Sequence, residues 1–322
     1  MKHYQQLTYE QRCQIYLLKQ EDYSQQATAD AIGVSQPTIS RELRRNAGER
    51  GYRYKQAQKK SSVRRQQAVN TLKMTPTNVV LIEWGLRQEW SPEQISGWLK
   101  KERGIYISFE TIYLYVWANK RQGGDLYTHL RHQIKGYRSR KGCHASRGKI
   151  KNRVSIHDRP HEVDAKERIG DWEIDLIIGK DHSGAMVTIV ERVSKFTVSA
   201  QIDDKSAATV TAATIVLLKP YRDVVLTITA DNGKEFAYHE EIAKALGAQV
   251  YFADPYSSWQ RGLNENTNGL LRQYWPKKTD FKQVVANDVV VVLEKLNNRP
   301  RKALDYETPA KIMQEHLLKI AA

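Results

Sequence analysis

The sequence predicts a multidomain chain, in which an all-α first half precedes an α/β second half. With 322 residues, the chain is long enough for about two or three domains. Runs with helical spacing and capping residues fill the first half, whereas β-rich runs begin at Gly170 and later alternate with helical runs. The two halves also differ in charge, which indicates that they have different functions.

All of the formal net charge of +15 lies in the first half of the chain. Residues 1–150 hold 27 Lys and Arg against 12 Asp and Glu, whereas residues 151–322 hold 24 of each. Such an excess is typical of a region that binds a polyanion. The alternative is a basic surface that only aids solubility.

The composition excludes several classes of protein. Apolar residues make up 40% of the chain, which is enough for globular cores. No apolar stretch approaches the ~18 residues of a membrane span, and residues 1–19 lack the apolar region of a secretory signal. Two cysteines, Cys13 and Cys143, are too few for a disulfide scaffold. We therefore expect a cytoplasmic protein without a membrane partner.

Residues 1–50 predict a helix-turn-helix unit. Gln25–Ile32 has the pattern of a short helix, and Gly33 permits a sharp turn after it. Ser35 is a natural N-cap for a second helix, because Pro37 follows in its first turn. Polar and basic side chains on this second helix are the candidate contacts to double-stranded DNA: Gln36, Thr38, Ser40, Arg41, Arg44 and Arg45. A pair of helices that only pack together is the alternative.

Residues 51–75 contain no acidic residue and predict a basic linker, either helical or lying along DNA phosphates. Its candidate DNA contacts are Lys59, Arg64 and Arg65, and a solvated linker is the alternative. Residues 76–135 predict a second helix-turn-helix unit, in which Ser91 with Gln94 has the spacing of a capping box and Ser108 begins another helix. A second basic linker is expected over residues 136–164, with the candidate DNA contacts Arg138, Arg140 and Lys141.

Residues 165–322 predict three successive strands followed by alternating helices and strands. The predicted elements are, in order, the strands Trp172–Ile178, Met186–Val193 and Phe196–Ile202, the helix Ser206–Leu218, the strand Val224–Thr229, the helix Tyr238–Leu246, the strand Gln249–Phe252 and the helix Gly262–Tyr274. This order is that of the RNase-H-like fold, the retroviral-integrase-like α/β architecture with helices on both faces of a mixed sheet.

Three carboxylates occupy related positions in that fold. Asp175 lies in the first strand, Asp231 closes the fourth, and Glu265 lies in the helix after the fifth. Because the first and fourth strands are neighbours in such a sheet, we expect the two aspartates to meet there, with the helix bringing Glu265 over them. Three converging acids repel one another unless divalent cations are bound, and oxygen ligands suit Mg²⁺. Two such ions activate the attacking oxygen and stabilise the leaving one.

Each carboxylate also has a plainer interpretation. Asp231 could belong only to a turn and Glu265 only to an exposed helix face, and Asp171, Glu173 and Asp181 compete for the first position. By the two-residue period of a strand, Asp171 and Glu173 share the face of Asp175. Four residues just before Glu265 are further candidate DNA contacts: Trp259, Gln260, Arg261 and Asn264.

Three motifs carry a resemblance to a known family. They are Gly-Asp-Trp-Glu-Ile-Asp over 170–175, Ala-Asp-Asn-Gly-Lys-Glu-Phe over 230–236 and Asn-Glu-Asn-Thr-Asn-Gly-Leu-Leu-Arg over 264–272. Between Asp231 and Glu265 lie 33 residues, which is the spacing of the DDE signature. The chain resembles the IS-thirty-type bacterial insertion-sequence transposases over nearly its whole length.

The resemblance implies that Asp175, Asp231 and Glu265 are the ligands of two Mg²⁺ ions, for which Mn²⁺ can substitute. It also implies an N-terminal region that binds the terminal inverted repeats of the element, target DNA as a second substrate, and a circular intermediate. Arg272 matches a basic residue that such transposases commonly carry, which would hold the terminal phosphate; a surface arginine is the alternative.

We therefore predict a DNA transposase that cleaves DNA and transfers the freed 3′-OH to another strand. Because two element ends must be joined, a homodimer on DNA is the economical arrangement. The first alternative is a helix-turn-helix transcriptional regulator with a decayed catalytic domain. The second is a nuclease of the ribonuclease H type.

Overall fold

The computed structural model describes residues 6–67, 73–131, 150–255 and 257–321. The chain divides into two compact units, Met1–Val79 and Val80–Ala322. Within the described residues, the helices are too short or too polar to cross a membrane. The candidate DNA contacts Arg138, Arg140 and Lys141 lie outside the described residues.

Between residues 6 and 67, the described part of the first unit forms four helices: α1 (Tyr9–Gln20), α2 (Gln25–Ile32), α3 (Gln36–Asn46) and α4 (Tyr54–Gln67). Gly33 ends α2 in the left-handed conformation, with φ +73°, and thereby makes the sharp turn into α3. The bounds of α2 agree with the sequence prediction, and α3 begins directly after Ser35 as predicted. The predicted helix-turn-helix is therefore present.

The core of the first unit joins all four helices. Ile15, Ala29 and Ile39 are fully buried, and Ala57 of α4 is buried with them. The buried carboxylate of Glu42 accepts hydrogen bonds from Arg12 at 2.9 Å and from the Tyr52 hydroxyl at 3.1 Å. The basic segment after residue 50 thus contributes α4 to the same core as the helix-turn-helix.

The described residues 73–131 form three more α-helices: α5 (Pro76–Arg87), α6 (Pro92–Arg103) and α7 (Phe109–Arg121). The predicted capping box of Ser91 and Gln94 begins α6, and Gly104 ends it in the left-handed conformation. Gly97 of α6 lies against Tyr306, because a Cβ at this position would stand 2.1 Å from the tyrosine ring. A glycine is therefore required for this close approach.

The rest of the second unit surrounds one five-stranded sheet. Its elements are α8 (His161–Ala165), β1 (Asp171–Ile178), β2 (Ala185–Glu191), β3 (Thr197–Ile202), α9 (Ala207–Leu218), β4 (Thr227–Ala230), α10 (His239–Leu246), β5 (Gln249–Phe252), α11 (Gly262–Leu271), α12 (Ala286–Asn297) and α13 (Pro309–Ala321). The strand order is β3-β2-β1-β4-β5. β1 pairs with β2 antiparallel and with β4 parallel, so the first and fourth strands are neighbours as predicted.

Each face of the sheet has its own hydrophobic core. Trp172 and Ile174 of β1 pack on one face with Phe236, whereas Ile177 packs on the other face with Leu271 of α11. By the two-residue alternation of a strand, Glu173 and Asp175 share the face of Ile177. The side chains that matter for chemistry therefore lie under α11.

Two elements differ from the sequence prediction by three residues at one end. β4 begins at Thr227 rather than Val224, because Lys219–Val224 forms a 3₁₀-helix. α11 ends at Leu271 rather than Tyr274. The following turn tightens, with the Gln273 N–H donating to the Leu270 carbonyl at 3.1 Å, and Pro276 comes shortly after.

Candidate active site

The structure brings Asp175 and Asp231 together across two neighbouring parallel strands. Glu173 of β1 lies opposite Thr229 of β4 in the register, and each aspartate comes two residues later on its own chain segment. The guanidinium of Arg261 bridges them, with Nη1 3.3 Å from Asp175 Oδ1 and Nη2 3.5 Å from Asp231 Oδ2. This pair was predicted from the sequence, but the bridging role of Arg261 was not.

Burial and mutual repulsion shape the electrostatics of this acid pair. Burial raises the pKa of Asp175, Arg261 lowers it, and the charge of Asp231 raises it again. Glu235 lies close by, and burial together with the charges of Asp231 and Asp175 raises the pKa of its carboxyl group. Glu235 was not among the predicted site residues, although it comes only four residues after Asp231.

Glu265 lies in the first turn of α11, where its side chain is exposed. Within the described ranges, no three His, Cys, Asp or Glu side chains are arranged to hold a metal ion. The structure therefore brings two of the three predicted carboxylates to the same arginine and places the third on the helix α11, which packs beside them. The pair itself fits a divalent cation, because its donors are carboxylate oxygens and a positive group already lies between them.

The second oxygen of Asp175 is held by an amide. Nδ2 of Asn268, on α11, donates to Asp175 Oδ2 at 2.9 Å. The Thr188 hydroxyl of β2 donates to Oδ1 of Asn268 at 2.8 Å, which orients the amide with its NH₂ group toward the aspartate. Asn268 follows Glu265 by three residues, so the two side chains share a face of α11.

Glu173 is occupied by structural contacts. It is fully buried, and its Oε1 accepts a hydrogen bond from Arg192 at 2.9 Å. Its Oε2 accepts from the backbone N–H of Asn264 at 3.0 Å, in the first turn of α11. Glu173 thus fixes the start of the helix that carries Glu265.

Asp171 is equally buried and pairs with Arg168 at 3.0 Å and with the Thr227 hydroxyl at 2.7 Å. Asp171 and Glu173 compete with Asp175 in the sequence, and the structure gives both of them internal partners. The two-residue alternation of the strand alone does not tell which of these three acids is free for chemistry, because all three share one face.

Arg272 follows the last residue of α11. Its guanidinium donates to the carbonyl oxygens of Ile178 at 3.1 Å, Pro276 at 3.2 Å and Trp275 at 3.4 Å. These contacts join the end of α11 to the end of β1.

The loop before α11 presents one large exposed side chain. Trp259 is 72% exposed, whereas the neighbouring Gln260 is fixed by hydrogen bonds to Asp254 at 2.7 and 2.9 Å. Asn264 is fully buried, and its side chain contacts Thr188. Of the four candidate DNA contacts in this region, the structure exposes Trp259 most.

A groove in the first unit gathers several of the predicted DNA contacts. It has a volume of about 640 Å³ and is lined among others by Thr38, Arg41, Arg45, Arg64 and Arg65. Arg41, Arg44 and Arg45 are exposed on α3, and Lys59 is exposed on α4. Gln36 and Ser40 are half-buried, and Gln36 contacts Gln25 at 3.2 Å.

Comparisons with known proteins find a domain model that matches each of two regions of the chain. A helix-turn-helix domain model matches residues 3–46, and an integrase core domain model matches residues 165–258. The chain is 45% identical to the transposase for insertion sequence element IS4351 of Bacteroides fragilis over 305 residues, or 94% of each chain. The chain belongs to the IS30 family of insertion-sequence transposases.

Two further relatives of this transposase cover most of its length. It is 38% identical to the transposase for IS1086 of Cupriavidus metallidurans, over 98% of this chain and 96% of the relative. It is 36% identical to the transposase for IS30A of Escherichia coli, over 89% of this chain and 78% of the relative.

Family membership makes this transposase a polynucleotidyl transferase, and its integrase core implies dependence on a divalent metal ion. Asp175 and Asp231 lie within the residues that match the integrase core, and Glu265 comes seven residues after their end. The helix-turn-helix match covers α1 to α3 and implies that the transposase binds DNA. The predicted family, fold class and enzyme class are confirmed.

Proposed function

We propose that this transposase binds the terminal inverted repeats of its element and catalyses metal-dependent cleavage and strand transfer. The observation that carries the proposal is the pair Asp175 and Asp231, joined across β1 and β4 with a cationic group between them. Such a pair, next to a helix that begins with another acid, suits phosphodiester chemistry.

Asp175, Asp231 and Glu265 are the residues that would hold two Mg²⁺ ions, with Mn²⁺ as a substitute. When bound, these ions would lower the pKa of the attacking hydroxyl group and stabilise the negative charge on the leaving oxygen. The chain itself fixes the ligands: Asn268 holds Asp175, and Glu173 holds the start of α11. Arg272 would bind the terminal phosphate, and Trp259 would contact an unpaired base by stacking.

The reaction has two displacements at phosphorus. Water first attacks a phosphodiester at the element end, the P–O bond to the 3′ oxygen breaks, and that oxygen leaves as a 3′-OH with one proton. The freed 3′-OH then attacks a phosphodiester of a second strand, which releases another 3′-OH. Both steps exchange one P–O bond for another, so no covalent enzyme intermediate is needed.

We propose further that the transposase acts as a homodimer on DNA, in the cytoplasm at the nucleoid, and through a circular intermediate with abutted ends. A dimer supplies one catalytic site for each end. Mass photometry of the DNA complex tests this, since one protein per two ends would contradict it. Amplification across the abutted ends of a mobilised element tests the circle.

Cleavage of a duplex ending in the terminal repeat is the experiment that tests the proposed function. We expect nicking at the repeat end in the presence of Mg²⁺ and none with chelator. Repeat binding without any metal-dependent cleavage would instead favour a transcriptional regulator. A strong preference for an RNA–DNA hybrid would favour a nuclease of the ribonuclease H type.

We propose that side chains of α3 contact the base edges of the repeat, which predicts an effect on sequence specificity. In the full chain, Arg41→Ala is expected to lower discrimination between repeat and scrambled duplexes by about 1–3 kcal/mol, because Arg41 is exposed on the predicted recognition helix. Binding titrations without metal measure this. An equal loss on both duplexes would move base reading to another helix.

Lys59→Ala is the matched comparison on α4. Phosphate contacts carry no sequence information, so it is expected to weaken binding to both duplexes equally. It should also reduce the slope of log affinity against log salt by about 1. Titrations at several salt concentrations measure the slope, and a loss confined to the repeat duplex would contradict the phosphate assignment.

Asn268→Ala is expected to weaken the apparent affinity for Mg²⁺ by roughly 10–100-fold, because Asp175 loses the amide that orients it. A Mg²⁺ titration of cleavage and direct Mn²⁺ binding both measure the change. Asn298→Ala is the control, since Asn298 is exposed at the end of α12 and its Nδ2 donates to the Glu294 carbonyl at 3.0 Å. Unchanged metal affinity in Asn268→Ala would remove the positioning role.

A further inference from the structure

A second polar cavity lies within the catalytic unit. It has a volume of about 440 Å³ and is lined by residues from the ends of α5 and α11 and from the segment after α7, among them Glu89, Arg131, Arg272, Gln273 and Tyr274. The guanidinium of Arg272 already donates to three backbone carbonyls. Arg131 is exposed at the rim.

Two arginines in the segment after α12 lie behind this cavity, Arg299 buried and Arg301 half-buried. Nη2 of Arg299 donates to the Tyr274 hydroxyl at 3.0 Å and lies 3.8 Å from Glu89 Oε2. Nη2 of Arg301 donates to the Leu296 carbonyl at 3.0 Å. Within the described ranges, Nε of each of these arginines is buried without a hydrogen-bond acceptor.

The cavity carries more positive than negative charge. Glu89 pairs with Lys295 at 2.7 Å as well as with Arg299. In the part of the chain that the structure describes, no ion pair joins Arg131 or Arg301 to a carboxylate. Burial, then Arg299 and Arg131, lower the pKa of Arg301 to about 10, and burial and Arg299 lower the pKa of Arg131. Cations that lie this close together favour an anion beside them.

Glu89 itself occupies a position that favours glycine. Its φ is +60°, in the left-handed region, just after α5 ends at Arg87. Because hydrogen bonds and charge from Lys295, Tyr274 and Arg299 outweigh its burial, the pKa of Glu89 lies below its ordinary value. A glutamate at this strained position indicates that its negative charge is needed beside Lys295 and Arg299.

The cavity also lies beside α11, the helix that carries Glu265. Nη2 of Arg131 donates to the carbonyl oxygen of Gly269 at 2.9 Å. Gly269 follows Glu265 by four residues, which is about one turn of α11. A group bound at Arg131 is therefore close to the reacting strand.

We propose that this cavity binds a backbone phosphate of the DNA strand on which the active site acts. Arg131 contacts the phosphate at the rim, and Arg299 and Arg301 supply positive potential from behind. Glu89 balances part of that charge in the free protein. The inference rests on the proposed function, because it requires DNA at the catalytic site, and it adds a phosphate contact outside the DDE residues.

The first test compares Arg131→Gln with Arg222→Gln in the full chain, without divalent metal. Arg222 is an exposed arginine of the same unit. Arg131→Gln is expected to weaken binding to a repeat-ended duplex about tenfold and to lower the salt slope by about 1. Arg222→Gln is expected to bind like the wild type. Equal effects of the two substitutions would overturn the proposal.

The second test locates the phosphate. A set of duplexes, each with one neutral methylphosphonate linkage near the repeat end, is titrated with wild type and with Arg131→Gln. One linkage is expected to weaken the wild type about tenfold and to leave Arg131→Gln unchanged. If both proteins respond alike to every linkage, the cavity does not hold a backbone phosphate. Failure of the wild type to bind repeat DNA at all would instead contradict the proposed function.

The substitution Glu89→Gln is expected to change DNA affinity in the direction opposite to that of Arg131→Gln. Removal of its charge is expected to tighten DNA binding several-fold while lowering the unfolding temperature of the free protein, and a merely structural role would not tighten binding. Inorganic phosphate distinguishes the source of the anion. If it raises the unfolding temperature of the wild type and Arg131→Gln binds DNA normally, the cavity takes free phosphate, and the proposal is wrong.

Discussion

Glu265→Gln is expected to lower DNA cleavage and strand transfer by about three orders of magnitude or more, while leaving affinity for the terminal repeats unchanged. The amide keeps the shape of the side chain but loses the negative charge that a metal ion requires. Charge stabilisation by a metal contributes several kcal/mol to the transition state, and each 1.36 kcal/mol is about tenfold in rate. The helix-turn-helix unit does not contain Glu265, so repeat binding should persist.

Single-turnover cleavage of a repeat-ended duplex with Mg²⁺ measures this effect, and a binding titration without metal serves as the second readout. Glu315→Gln is the matched control, since Glu315 is an exposed glutamate on α13. Near-normal cleavage by Glu265→Gln would show that the third ligand is another acid. Glu235, close to both aspartates, is then the first candidate.

Glu173→Ala is expected to lower the free energy of unfolding by roughly 3–5 kcal/mol, because it removes the close partner of a buried Arg192, which keeps only the more distant carboxylate of Asp164 at 4.0 Å. The side chains of Arg192 and Glu173 are only 6% and 2% exposed. The same substitution removes the acceptor of the Asn264 N–H, so the first turn of α11 loses a contact. Catalysis should therefore fall even under conditions where the variant is folded.

Urea unfolding measures the loss, and an exposed ion pair supplies the control. Lys311 and Glu307 pair at 2.9 Å with side chains 50% and 24% exposed, so Lys311→Met is expected to cost about 1 kcal/mol or less. The substitution Glu173→Gln keeps an acceptor for the Asn264 N–H but removes the negative charge beside Arg192. If Glu173→Ala were no worse than Lys311→Met, the buried pair would not stabilise the fold.

Local patterns predicted much of this molecule because they depend on residues close in sequence. The helix start at Ser91 follows from capping chemistry, and the turn at Gly33 follows from a residue that tolerates positive φ. The helix α3 begins directly after Ser35 as predicted, although the Ser35 side chain makes no capping hydrogen bond. The meeting of Asp175 and Asp231 followed from the order of strands alone, since that order makes β1 and β4 neighbours.

The support of the site depends on packing between distant segments, and therefore the sequence did not reveal it. Asn268 contacts Asp175 across 93 residues of chain, and Arg261 contacts Asp175 across 86. No spacing rule relates such positions; they meet because α11 packs on the face of β1 that carries Glu173 and Asp175. The end of α11 was likewise mistaken, because the turn before Pro276 tightens earlier than apolar periodicity indicates.

The assembly of the acid pair from β1 and β4 has a consequence for protein synthesis. A ribosome that has just made Asp175 must still add 90 residues before Glu265 exists, which takes on the order of 5–20 s at bacterial elongation rates. During that interval the nascent chain already contains all of α1 to α4. A chain that ends in this stretch thus lacks one of the three proposed metal ligands, and we expect it to bind DNA without cutting it.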